Sequence, residues 1–157
     1  MDIRTVVLVF HVLLGTLGSS AALWALVDLK NIQSGSASRI AKASLAEFLF
    51  TMGSFIAGAW FYILYYPEEK QIILNGPTPE AHTFFMEVKE HIFFILLLLS
   101  IYLFIITRNL SVNTDQSQLR IIKIVLRSIF IMGFVMIAFG EFIDMGVKSG
   151  LLKSFTK

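Results

Sequence analysis

The chain contains no cysteine. That excludes a disulfide scaffold, a thiolate-held iron–sulfur cluster, covalent c-type haem attachment and a CxxC redox pair. Charge is scarce as well. Charged residues make up 15% of the sequence, where a soluble domain carries roughly 25%. A soluble nucleic-acid binder and a disordered acidic or basic tail are both excluded, although the sequence pI is near 9.0. Alternating strands of about ten residues, the mark of a membrane barrel, are missing. So are internal repeats and low-complexity tracts. What remains is apolar. Hydrophobic residues reach 56% and mean hydropathy is +0.76 over 157 residues, room for one domain.

These residues are gathered in long runs. A helix needs about 20 apolar residues to cross the hydrocarbon layer. Four segments qualify, at about 5–28, 44–66, 84–107 and 121–147. The expectation is an all-α integral membrane protein, an up-down four-helix bundle forming one transmembrane domain over residues 1–157. The first run, Thr5 to Val27, carries no formal charge and is too long for a typical signal peptide. The connections Asn31–Ser38, Pro67–Pro79 and Asn109–Gln118 read as loops, and short loops make successive helices antiparallel neighbours. Lys30, Arg39, Lys42, Arg108, Arg120, Lys123 and Arg127 would share one face with Asp28, Glu47 and Asp115. The other face would carry Arg4, Lys70, Lys89, Lys148, Lys153 and Lys157 among eight acids. The more basic face is placed in the cytoplasm, which puts both termini outside.

An ionisable side chain inside a membrane is costly and marks a site by default. His11 in the first span, Glu87 and His91 in the third, and Glu141 and Asp144 in the fourth all fall roughly 10 Å from the outer face at 1.5 Å per residue. Glu87 and His91 share a helix face, as do Glu141 and Asp144. Two stripes of small or polar residues accompany them. One is His11, Gly15, Gly18 and Ala22; the other is Glu47, Thr51, Ser54 and Gly58. Such stripes allow close helix packing, with Gly15, Gly18 and Gly58 as the contact points.

Three readings of this level stand side by side. His11 and His91 hold haem b as axial ligands. Alternatively His11, Glu87, His91 and Glu141 bind a non-haem metal such as iron or zinc. Or the groups form a polar layer, paired with one another and with Lys89. The spacing from Glu87 to His91 is neither the Glu-x-x-His of di-iron bundles nor HExxH. His82 reads as a solvated interfacial histidine. Glu47 lies on the basic side, where Lys42 or Arg127 is its expected partner and a proton relay its possible role.

An early histidine followed by small residues, His11 to Ala22, resembles the CopD-like group of small membrane proteins. So does a third helix that runs from Lys89 to Arg108-Asn109. That group includes copper-resistance membrane domains and HemJ-type protoporphyrinogen oxidases. The resemblance implies a helical bundle and a haem-binding or metal-binding role for His11 and His91. Leu14-Gly15-Thr16-Leu17-Gly18 stands where the group has a Trp-x-Gly-Gly type motif. The acids Glu87, Glu90 and Glu141 lie outside the group's pattern.

The resulting expectation is haem b near the outer face, serving electron transfer or a small membrane redox step. Glu87, Glu141 and Asp144 would orient the imidazoles. The alternatives are the non-haem metal site and a cofactor-free accessory subunit of a larger complex. Expected partners are the lipid bilayer and other membrane subunits or a second copy, with no nucleic acid.

Overall fold

A computed structural model describes residues 2–30, 35–111 and 113–155. They fold into α1 (Ile3–Leu29), α2 (Ser36–Leu64), α3 (Tyr66–Leu74), α4 (Glu87–Thr107) and α5 (Gln116–Phe155), and a π-helical turn, Ala81–Met86, leads into α4. α1, α2, α5 and the stretch Ala81–Thr107 are long and apolar enough to cross a membrane. α1 packs on α2 and α5, and so does α4. Among the described residues α1 and α4 stand on one diagonal of the bundle and α2 and α5 on the other.

In two of the expected connections helix takes up part of the described residues. Of Asn31–Ser38, residues 31–34 lie outside the described part. Gly35 takes a φ of +96°, a left-handed conformation open to glycine, and helix begins at Ser36. The turn is clamped by Arg39 on α2, whose Nε donates to Asp28 Oδ2 of α1 at 3.0 Å. The Pro67–Pro79 connection is a loop only in its second half. Pro67 sits in the first turn of α3, where its missing N–H costs nothing, and Glu68 and Glu69 follow in the same turn, as the helix dipole favours. Arg4 at the start of α1 bonds to Glu69 and lies 3.9 Å from Glu68, tying α3 to the bundle. The fourth apolar segment is longer than expected. α5 has 40 residues, about 60 Å of helix.

Many large apolar side chains face outward, while small ones line the contacts between helices. Ile63, Phe134 and Leu98 are 71%, 68% and 67% exposed, and many other large apolar side chains face outward with them. Ala22, Ala25, Ala43, Ser44 and Ser54 are buried. One apolar cluster joins the last turns of α1 and α4 to the first turns of α2 and α5, around Ile40, Leu103, Ile122 and Leu126. A second, around Phe61, Tyr66, Ile73 and Ile143, packs α3 and the π-helical turn on α5.

Candidate functional site

The two stripes meet face to face, which is the main contact between α1 and α2. A Cβ built on Gly15 would stand 3.2 Å from Ser54 Oγ, one on Gly18 2.9 Å from Thr51 Oγ1, and one on Gly58 2.7 Å from His11 Nδ1. His11 is half-buried in this seam. Its Nδ1 lies 2.9 Å from the Ser54 carbonyl oxygen and 3.1 Å from Ser54 Oγ, and Ser54 Oγ donates to the His11 carbonyl at 2.9 Å. The imidazole therefore cross-links α1 to α2 through Nδ1, and among the described residues its hydrogen bonds leave Nε2 out.

Two turns along the same face of α2 lies Glu47, with 0% exposure. Thr51 Oγ1 donates to Glu47 Oε1 at 2.9 Å and Ser100 Oγ of α4 donates to the same oxygen at 2.7 Å. Glu47 Oε2 and the neighbouring Ser44 Oγ are buried with no hydrogen-bond partner. The expected pairing with Lys42 or Arg127 does not occur: both cations are exposed on the outside of their helices. The helix phase explains this. Glu47 belongs to the packed stripe of α2 with Thr51 and Ser54, while residues 42 and 127 fall on outward faces. Among the described residues no cation is paired with Glu47. Sequence reasoning misses Ser100. The signal is present: it is the lone small hydroxyl side chain in the run Ile92–Ile106.

The level near the other end divides into separate groups. His91 is exposed, and its Nδ1 lies 2.6 Å from the Glu87 carbonyl of its own helix. Glu87, Glu141 and Asp144 are exposed too, and Asp144 is bound by Lys148 one turn on. Lys89 instead turns inward. Its Nζ is the atom nearest a Cβ placed on Gly140 of α5, at 3.4 Å, and it lies within electrostatic reach of His11. Among the described residues no three His, Asp or Glu side chains converge as a metal-holding group.

His82 is buried, not solvated. It is 5% exposed, and its Nδ1 lies 2.9 Å from the Tyr66 hydroxyl at the start of α3. The π-helical turn carries it there, and wide turns of this kind recur at functional sites. Tyr66 is 2% exposed. Its burial, followed by the neighbouring Tyr62 and the acids Glu69, Glu90 and Glu87, holds its phenol well above the usual tyrosine range.

No model of a known protein family, no curated protein and no solved structure matches this chain.

Proposed function

We propose that the chain crosses a membrane four times, up and down, and that it stores and exchanges a proton at Glu47. The four long apolar helices and their outward-facing large side chains support the first half. Contiguous apolar surface of that extent is sustained in lipid and not in water. The observation that carries the second half is the state of Glu47: fully buried, held by two hydroxyls, one oxygen unpartnered and no cation paired with it among the described residues.

A buried carboxylate without a counter-charge is disfavoured by several kcal/mol, so the carboxyl rests in its neutral, protonated form. Thr51 and Ser100 stabilise the anion when the proton leaves, because both donate to Oε1. The group can therefore change charge inside the bundle, the elementary event of proton-coupled membrane work. Ser54 and His11 continue the polar file along the α1–α2 seam. The basic face, with Arg39, Lys42, Arg108 and Arg120, lies on the cytoplasmic side in this reading, and both termini on the other.

The test is an infrared difference spectrum of the purified protein between acid and alkaline buffer. A carbonyl stretch of a protonated carboxylic acid in an apolar setting should appear and disappear with pH, and Glu47→Gln should remove it. A band that survives in Glu47→Gln would assign the proton elsewhere.

A second reading keeps haem b. Both His11 and His91 have Nδ1 beside a main-chain carbonyl, which orients an imidazole for ligation through Nε2. Within one copy the two rings have different surroundings. They stand on diagonal helices, one in the α1–α2 seam and the other on the outer surface of α4. In this reading a second copy or another subunit completes the axial pair. An absorption spectrum before and after dithionite decides it: a Soret band lost in His91→Ala supports it, and a colourless, well-folded sample from haem-replete cells ends it.

A further inference from the structure

A proton at Glu47 has two ends of the bundle to come from, and they differ. Towards the end that carries Ser36, Thr107 and Gln116, about 16 Å of helix separates Glu47 from the start of α2. That distance is filled by Ile40, Leu103, Ile122 and Leu126, each fully buried, together with Ala25, Ala43 and Val125. Ser44 Oγ, one turn from Glu47, has no partner with which to pass a proton on. Thr107 Oγ1 donates at 2.8 Å to the Leu103 carbonyl of its own helix and offers no link either.

Towards the opposite end a polar stripe continues along the α1–α2 seam, beside the apolar cluster around Phe61, Tyr66, Ile73 and Ile143. Thr51 Oγ1 reaches Glu47, and Ser54 stands on the next turn, bonded to His11. His11 is half-buried and Lys89 lies within its electrostatic reach. Beyond them, at the surface, the exposed Tyr62 of α2 lies within electrostatic reach of Glu90 of α4. The charged and titratable groups that look onto this route are thus His11 from α1, Tyr62 from α2, and Lys89 and Glu90 from α4. On α5, Arg127, Glu141 and Asp144 are exposed on the outer surface, and that helix turns Gly140 to the route and Val125 and Ile129 to the sealed end.

We infer that Glu47 exchanges its proton with one end of the bundle only, the end bearing His11, Lys89 and Glu90, by way of Thr51 and Ser54, while the apolar cluster around Ile40, Leu103, Ile122 and Leu126 seals the other. The inference rests on the protonation reading of Glu47. The protein is then a one-sided proton site that follows the acidity of a single compartment, and not a through-channel.

The experiment uses the full chain in lipid vesicles. The natural sequence has no cysteine, so a single cysteine at Asn75 or at Ser117, blocked by a membrane-impermeant thiol reagent, reports which way the molecules face. The pH is then stepped on one side of the vesicle while the other side is held by buffer, and the Glu47 carbonyl band is followed. The band should follow a step on the Asn75 side and stay unchanged through a step on the Ser117 side over the same interval. A band that follows the Ser117 side, or both sides equally, overturns the one-sided assignment while leaving the proton at Glu47. A band that moves with neither step, nor with equal pH on both sides, overturns the protonation reading itself, and the inference falls with it.

Discussion

At the scale of the residue, Glu47 is a buried carboxyl with one oxygen bonded twice and the other unpartnered. Its Oε2 has no partner, and Ser100 Oγ already has a second acceptor in the Leu96 carbonyl, at 2.9 Å. A buried polar atom left without a partner costs about 1–3 kcal/mol, a cost that an apolar side chain of similar size does not carry. Glu47→Leu should therefore unfold in detergent at the same or higher denaturant than the natural protein, while the carbonyl band is lost. A drop of about 2 kcal/mol or more would mark Glu47 as a structural element of the core instead. The glycine at position 58 should behave oppositely. A methyl group there meets the His11 ring at 2.7–2.8 Å, so Gly58→Ala should cost about 1–3 kcal/mol by overpacking. Gly15→Ala meets only a serine hydroxyl at 3.2 Å and should cost less in the same assay.

Tyr66 gives a pH signature at the same scale. Its phenol is raised in the folded protein above the unfolded value of about 10. An acid with a raised folded value favours folding while it is protonated, and that contribution is lost as pH climbs past the unfolded value. Unfolding midpoints measured above about pH 10 should fall more steeply for the natural protein than for Tyr66→Phe. Parallel curves would show that Tyr66 titrates as freely as an exposed tyrosine.

At the scale of the element, α3 is held by close approach. A Cβ on Gly146 would lie 2.5 Å from the Ala81 Cβ, and one on Gly150 would lie 2.6 Å from the Ile72 carbonyl oxygen. Gly146→Val should thus lift α3 and the π-helical turn from α5, and trypsin should cut at Lys70 sooner than in the natural protein; an unchanged cutting rate would locate the anchor elsewhere. This element is also the hardest to read in the sequence. The α1–α2 seam is legible because its residues recur at helical spacing on each partner, His11-Gly15-Gly18 and Thr51-Ser54-Gly58. α3 is not, because Pro67 and the Asn75-Gly76-Pro77 turn look alike as loop signals, and only the docking of Ile73 on α5 tells a helix start from a loop. The same limit applies to chemistry. His11 stands out in the sequence, but its partner is a serine on α2 and not a second histidine. His91 and Glu141 share a level with it in the sequence and face away from it in space. Ser100 reaches Glu47 across 53 residues of chain, a distance no local pattern spans.

At the scale of the whole molecule, the arrangement predicts a topology. Single cysteines at Asn75 and at Ser149 should be labelled from one side of the membrane, and those at Thr114 and Ser117 from the other. Labelling of Asn75 and Ser117 from the same side would break the up-down order and, with it, the assignment of the two ends. The diagonal placement of α1 and α4 has a related meaning. The histidines on them look into different surroundings, His11 into the α1–α2 seam and His91 to the outside of α4.

The π-helical turn at Ala81–Met86 has a consequence for how this chain tolerates change. An ordinary helix advances about 100° per residue, and a wide turn absorbs one residue more than its share. That extra residue lets His82 reach Tyr66 while Lys89, further on, points into the bundle. Substitutions at the exposed Thr83 or Phe84 alter the packing by degrees. A deletion of one codon there is a different kind of event: it is a phase error, which rotates everything before it by nearly a third of a circle and carries His82 away from Tyr66. For this segment, length is the inherited quantity and spelling is secondary.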